Sequence, residues 1–204
     1  MQAFTVLHGV AAPMPIDNID TDAISPMAAG RSTSVDLGAM LFNNARYNED
    51  GSEKPDFVLN QPRFRRSVIL VAGQNFGFGS SRERAVWALM KFGIRAVIAP
   101  SFADIFYDNA FQNGLLPVVQ SAERCAAITE FLQSATAPVA TVDLERCIVL
   151  AAGIETPFSV PAERRLALLE GLEEIDVILR MAPDNDGFEA ADRKTRPWIY
   201  SVTT

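Results

Sequence analysis

Three short apolar runs constrain the fold of this chain more than any other feature. They lie at residues 67–72, 95–99 and 115–119, and the first two are followed directly by a glycine and a proline. Continuous apolar runs of this length are typical of strands that are covered on both faces. Between them, residues 82–92 and 103–112 have the spacing of helices. This alternation predicts parallel strands joined by right-handed helical crossovers, a βαβαβ core.

Further elements are predicted around this core. A first strand is expected at residues 4–10, and the Pro-, Asp- and Ala-rich residues 13–30 are expected to be mostly loop. Later in the chain we expect a helix, three short strands and a final helical region, at residues 122–133, 139–143, 147–151, 155–160 and 161–181.

The 204-residue length favours one domain. Residues 43–66 are polar and interrupted by glycine and proline, which predicts a long surface excursion. We therefore predict one α/β domain over residues 1–182, with appended short strands and C-terminal helices. The polar residues 183–204 are expected to form a loosely held tail.

Composition narrows the possible partners. The chain has 18 basic and 25 acidic residues, a net charge of −7, which argues against a general nucleic-acid binder. The N-terminus lacks the pattern of a signal peptide, and no apolar stretch approaches the roughly 20 residues of a membrane helix. A cytoplasmic protein with no membrane association is expected.

Cysteine and histidine are scarce. The two cysteines, Cys125 and Cys147, lack metal-ligand spacing and are expected to be buried structural thiols. His8 is the one histidine. The chain is therefore not expected to build a metal site from its own residues, nor a Ser-His-Asp triad except through His8.

The segment at residues 73–83 is the best candidate for chemistry. It joins a predicted buried strand to a helix, and its glycines allow the backbone to approach a ligand closely. Ser80 or Ser81 could simply cap the helix. Arg82, however, places a cation in the first turn, where the helix dipole disfavours it. That combination favours an anion site, and a carboxylate fits the planar guanidinium best.

Residues 75–83 closely resemble the signature of the aconitase-family swivel domain. Three further segments, at 18–26, 96–106 and 113–117, are similar to the small subunits of bacterial isopropylmalate isomerases. Residues 41–43 and 55–60 are similar to the longer bacterial form, and residues 168–175 resemble its C-terminal helix pair, so that the resemblance runs from about residue 4 to residue 180.

The resemblance implies a swivelling β/β/α domain that closes over an active site held mainly by a large subunit. That partner would carry a [4Fe-4S] cluster, and this chain would hold no cofactor. The implied reaction is the interconversion of 2-isopropylmalate and 3-isopropylmalate, a dehydration and rehydration in leucine biosynthesis. The chain would be a hydro-lyase only together with the large subunit.

The resemblance also implies roles for individual residues. Ser80 matches the serine whose alkoxide removes the substrate proton. Arg82 matches the arginine that binds a substrate carboxylate, and Ser81 adds hydrogen bonds. Asp22 and Ser25 match positions that line the same cleft, although an Asx turn and a loop cap are equally good interpretations of them. Arg31 is a candidate for a second carboxylate-binding cation.

Two departures from the family pattern leave the substrate open. Arg84 stands where the family has histidine, and residues 27–34 are less basic than usual. The alternatives are a related hydro-lyase acting on citraconate or 2-methylmalate, on a dimethylmalate or on a homoaconitate-type acid. A third possibility is an assembly module without catalytic activity.

Overall fold

The computed structural model describes residues 1–26, 36–79, 83–180 and 182–200. The chain divides into two compact units, Met1–Gly171 and Leu172–Thr204. The first unit contains all the strands and the segment predicted to carry the chemistry.

The first unit is built on a seven-stranded sheet with the order β4-β3-β2-β1-β5-β6-β7. Strands β1 to β4 run parallel to one another, whereas β5 to β7 are antiparallel to their neighbours. The predicted α/β class, with a parallel βαβαβ core and additional short strands, is confirmed. The strands are β1 (Val6–Met14), β2 (Ile69–Ala72), β3 (Ala96–Ala99), β4 (Leu116–Val119), β5 (Val139–Asp143), β6 (Ile148–Ala151) and β7 (Ile154–Pro157).

Strand β1 belongs to both halves of the sheet. Its first half, Val6 to Val10, pairs antiparallel with β5, and its second half, Ala11 to Met14, pairs parallel with β2. The strand therefore extends beyond the predicted residues 4–10. Pro13 lies in the second half, where β2 is the only named strand that pairs with β1. Proline lacks a backbone N–H, and this is tolerated where a strand is paired on one side only.

Alternate residues of the parallel strands face two separate cores. In β2, Leu70 and Ala72 pack into a core that includes the buried side of α3, while Ile69 and Val71 face a core that includes α5. Coverage on both faces explains why this strand has no polar alternation. The helices of the first unit are α1 (Thr21–Ile24), α2 (Asn43–Arg46), α3 (Glu83–Phe92), α4 (Asp104–Asn113), α5 (Ala122–Ser134) and α6 (Ala162–Glu170), with a short 3-10 helix at Val58–Asn60.

The excursion at residues 43–66 is folded around a buried arginine. Arg46 is 5% exposed. Its Nε donates to Asn60 Oδ1 at 3.1 Å, and one terminal nitrogen donates to the carbonyls of Gly38 and Leu41 at 3.5 and 3.4 Å. The Asn60 amide donates back to the Arg46 carbonyl at 2.7 Å. Burial lowers the pKa of the guanidinium, which remains charged.

The described residues of the second unit form three helices, α7 (Glu174–Arg180), α8 (Ala182–Thr195) and α9 (Pro197–Tyr200). Within it, Asp192 accepts from Arg196 at 2.6 Å and from the Tyr200 hydroxyl at 2.8 Å. Residues predicted as a loose tail thus include regular helix, and how firmly they are held stays a prediction. Within the described ranges, no helix combines the length and apolarity needed to cross a membrane.

Replacing Arg46 with alanine should lower the free energy of unfolding by about 3 kcal/mol, because buried acceptors lose a charged donor. Urea denaturation of the full chain measures this loss. Arg146→Ala is the matched control, since Arg146 pairs with Glu155 at 2.9 Å with both side chains about half exposed. The control should lose much less, as exposed ion pairs contribute little. Equal losses of unfolding free energy in the two variants would show that burial does not increase the contribution of Arg46 to stability.

Candidate active site

Three chain segments meet at the carboxyl edge of the parallel strands. Residues 16–25 follow β1, residues 73–79 follow β2 and residues 101–103 follow β3. In open α/β sheets, ligands bind outside the carboxyl ends of the strands. The predicted anion-binding segment therefore lies at the edge of the sheet where such a site is expected.

The segment that follows β2 is hydrogen-bonded on both sides. Toward the β1 side, Asn18 N donates to Gln74 O at 2.9 Å, and Gly77 N donates to Ile19 O at 2.7 Å. Toward the β3 side, Phe76 N donates to Ser101 O at 3.1 Å. These bonds continue the parallel pairing beyond the ends of the strands. They fix the backbone that leads into Ser80.

An aromatic cluster supports the same segment. Phe76 is fully buried, and its ring meets Phe102 and Phe106 edge-on, with centroid distances of 6.2 and 5.2 Å. Edge-to-face pairs of this kind contribute about 0.5–1.5 kcal/mol each beyond the area that they bury. The side chain of Phe76 therefore anchors a turn whose other residues are glycines, two polar residues and the more exposed Phe78.

Two glycines in this segment are required by close contacts. A Cβ on Gly73 would lie 2.4 Å from the carbonyl oxygen of Ile16. Gly77 has φ +79°, and a Cβ there would lie 2.3 Å from the ring of Phe106. Both positions exclude a side chain on steric grounds, and Gly77 also excludes it by its backbone conformation.

Helix α1 is joined to the glycine segment. Thr21 N donates to the Phe78 carbonyl at 2.9 Å, and the side chain of Asp20 caps the helix by accepting from Ala23 N at 2.5 Å. The capping carboxylate is thus Asp20, which the sequence interpretation did not single out. Asp22 lies in the first turn of this helix and Ser25 directly follows it. Asp22 is therefore adjacent in sequence to the Thr21–Phe78 bond, and Ser25 lies at the other end of the same short helix.

Ser25 has an unusual environment. The residue is 1% exposed, and its hydroxyl oxygen has no hydrogen-bond partner among the described residues. A buried polar group without a partner costs about 1–3 kcal/mol. In native proteins such a group usually has a partner, for example an ordered water or an ion, or belongs to a functional site.

Four predicted site residues lie outside the described residues, namely Arg31, Ser80, Ser81 and Arg82. Their roles stay predictions. Immediately after residues 80–82, α3 begins at Glu83, so that Arg84 lies in the first turn of this helix. Arg84 is half-buried, and its Nε atom has no hydrogen-bond partner within the described part of the chain.

Sequence reasoning missed a polar network at the same edge. Asn18 and Asn75 both have left-handed backbone angles, with φ of 56° and 55°. The Asn75 amide donates to Asn18 Oδ1 at 2.9 Å, and Asn75 N donates to Ser101 Oγ at 2.8 Å. The only signal of this network in the sequence is an asparagine in each of the two segments that follow β1 and β2.

Neither cysteine has the features of a reactive or metal-binding thiol. Both are free, and burial raises the pKa of Cys125 to about 11. Cys147 is only partly buried, contrary to expectation, and occupies a left-handed turn position just before β6. Over the ranges that the structure describes, no three His, Cys, Asp or Glu side chains group together as metal ligands.

Comparison with known proteins agrees with this arrangement. The family model of the aconitase C-terminal domain matches residues 1–123. The chain is 50% identical over 201 residues to the 3-isopropylmalate dehydratase small subunit of Cereibacter sphaeroides strain KD131, covering 98% of this chain and 100% of that protein. The small subunit of the same name from Paracoccus denitrificans is 49% identical, with the same coverage.

A solved structure is similar as well. The crystal structure of a 3-isopropylmalate dehydratase from Methanocaldococcus jannaschii superposes with a TM-score of 0.62 at 26% identity, covering 89% of this chain and 98% of that one. The fold and the match to the family model define an aconitase-type C-terminal domain. Within that class, the chain belongs to the family of 3-isopropylmalate dehydratase small subunits. The predicted family resemblance is confirmed.

Replacing Gly77 with alanine should destabilise the protein far more than the same change at Gly51. Both glycines have a left-handed φ, +79° and +81°, but a Cβ at Gly51 meets nothing within 4 Å. Gly51→Ala should therefore cost about 1 kcal/mol of backbone strain. Gly77→Ala should cost roughly 2 kcal/mol more, because the ring of Phe106 must move. Chemical denaturation of both variants measures the difference, and equal costs would contradict the close contact.

Proposed function

We propose that this chain acts with a cluster-bearing large subunit to interconvert 2-isopropylmalate and 3-isopropylmalate, a cytoplasmic step of leucine biosynthesis. The observation that carries the proposal is the identity of about 50%, over nearly the whole chain, to proteins named as small subunits of 3-isopropylmalate dehydratase. The glycine turn after β2 supports it, because its described residues 73–79 lie at the carboxyl edge of the parallel strands, where ligands bind in such sheets, and immediately precede Ser80 in the sequence.

In this proposal, Ser80 is the catalytic base and removes a proton from the carbon adjacent to the one that bears the departing hydroxyl. A serine hydroxyl is a very weak acid, so its anion requires strong local stabilisation. The N–H groups at the start of α3 and the guanidinium of Arg82 would supply positive potential of the required sign.

The substrate carboxylates need separate partners. Arg82 is proposed to bind one of them through two parallel hydrogen bonds, with Ser81 adding a further donor. Arg31 is the candidate for a second carboxylate. Asp22 and Ser25 are proposed to line the cleft. The attachment of α1 to the Phe78 carbonyl supports their role, because it holds both residues beside the turn.

The [4Fe-4S] cluster belongs to the partner in this proposal. Two cysteines are too few for the three or four thiolates of such a site, and Cys125 is buried. Bound in the large subunit, the cluster would act as a Lewis acid toward the substrate hydroxyl. The role of the present chain is to deliver the base and the carboxylate-binding groups.

Replacing Ser80 with alanine should lower kcat by several orders of magnitude in the complex reconstituted with a large subunit, because no other group removes the proton. Turnover of 2-isopropylmalate under anaerobic conditions measures the effect. Ser134→Ala, an exposed serine at the end of α5, is the control and should retain normal turnover. Near-normal kcat in Ser80→Ala would reject the role of Ser80.

The same assay decides between substrates. Wild-type complex should process isopropylmalate faster than citraconate, dimethylmalate or a homoaconitate-type acid. A preference for one of the other acids would keep the reaction type and assign the altered specificity to the departures at Arg84 and residues 27–34. An assembled complex without activity on any of them would favour a non-catalytic role.

Replacing Ser25 with alanine should leave the free energy of unfolding unchanged or raise it slightly, because the change removes a buried hydroxyl that has no partner among the described residues. The KM for isopropylmalate should rise several-fold if the hydroxyl binds the substrate. Thermal denaturation and steady-state kinetics measure the two effects separately. A stability loss of more than about 1 kcal/mol with an unchanged KM would instead indicate a purely structural hydroxyl.

A further inference from the structure

At the candidate active site, the segments that follow β1 and β2 each contain a residue with left-handed backbone, and these two residues lie side by side. Asn18 follows β1 and Asn75 follows β2, and each has a left-handed φ. The Asn18 N–H donates to the carbonyl of Gln74, so that the two residues lie in matched positions of neighbouring segments. Left-handed backbone is uncommon outside glycine, although asparagine tolerates it better than most residues.

The side chains connect the two turns directly. Asn75 Nδ2 donates to Asn18 Oδ1 at 2.9 Å. The bond lies at the protein surface and buries little area, so its contribution to overall stability is small. A left-handed conformation at both positions also costs free energy. Stability alone therefore gives a weak reason for this arrangement.

The pair lies immediately before the segment that carries the proposed chemistry. Beyond it, the backbones of residues 19–21 and 76–78 are held together by two bonds, from Gly77 N to Ile19 O and from Thr21 N to Phe78 O. The first backbone leads into α1, and the second leads into Ser80. A slip at the asparagine pair would thus displace both sides of the cleft relative to each other.

We infer that Asn18 and Asn75 are positioning residues, which set the register between α1 and the turn that bears the catalytic serine. The inference rests on the proposed function of that turn. Neither asparagine needs to touch the substrate. Their bond fixes the placement of groups that do, and displacements of about 1 Å at such groups can lower rates by up to roughly 100-fold.

The test uses Asn18→Gly, Asn75→Gly and the double variant, because glycine accepts a left-handed φ and removes only the side-chain bond. In the reconstituted complex, each single variant should lower kcat about tenfold, with a smaller change in KM. The double variant should lose no more than either single variant, since both changes remove one shared interaction. If the loss of kcat in the double variant instead equals the product of the two single losses, the asparagines act independently and the inference is overturned.

A second measurement on the full chain does not depend on activity. Amide hydrogen exchange at Gly77 and Thr21 should become about tenfold faster in each glycine variant. Asn48→Ala is the matched control, because Asn48 also makes an exposed side-chain bond, to Ser52 Oγ at 3.0 Å, in a different surface turn. It should change neither exchange at these two amides nor kcat.

The outcomes separate the inference from the proposed function. Unchanged exchange in the glycine variants rejects the positioning role whatever the activity of the complex. Faster exchange with unchanged kcat in an active complex rejects it as well. If the wild-type complex is inactive on every hydroxy diacid, the proposed function fails, and the exchange measurement alone decides whether the pair sets the register.

Discussion

The arrangement of the candidate site depends on backbone pairing that continues after the parallel strands end. Residues 74–78 form the centre of this extension, with residues 18–21 on one side and residues 101–103 on the other. Phe76 supplies the hydrophobic anchor, and the glycines provide the space for close approach. The edge of the sheet is therefore a rigid support, which is what a site for precise proton transfer requires.

The same backbone pairing limits which N–H groups of the turn are available to bind an anion. The N–H groups of residues 74 to 77 are all engaged, with the Asp17 carboxylate, the Ser101 hydroxyl and the carbonyls of Ser101 and Ile19 as acceptors. Within this turn, those four amides are therefore not available to a substrate carboxylate. This agrees with our proposal that the anion binds near the start of α3, beyond the part of the turn that pairs with its neighbours.

The sequence predicted the parallel core well because burial on both faces leaves an unbroken apolar run, as in residues 69–72. The predicted first strand was too short, because Pro13 was interpreted as a loop signal. Proline fits this strand because, among the named strands, β1 pairs only with β2 at that position. Residues 43–66 were predicted as an excursion, but the buried Arg46 was not foreseen, because charged side chains are rarely buried.

Prediction of the site rested on two different kinds of information. The anion-binding character predicted for the glycine turn was inferred from the helix dipole and the glycines, whereas the roles predicted for Ser80 and Arg82 came from the family resemblance. The helix cap at Asp20 and the asparagine pair could not be derived from spacing, because left-handed angles and side-chain partners depend on which segments become neighbours in the folded chain.

The double pairing of β1 has a consequence for biosynthesis of the chain. The strand is made first, yet its first half pairs with β5, whose residues follow more than a hundred positions later. Contacts so distant in sequence form slowly. During translation, half of the first strand must therefore wait without a partner until the antiparallel strands emerge from the ribosome, and a chaperone that covers it in this interval would protect the nascent chain from aggregation.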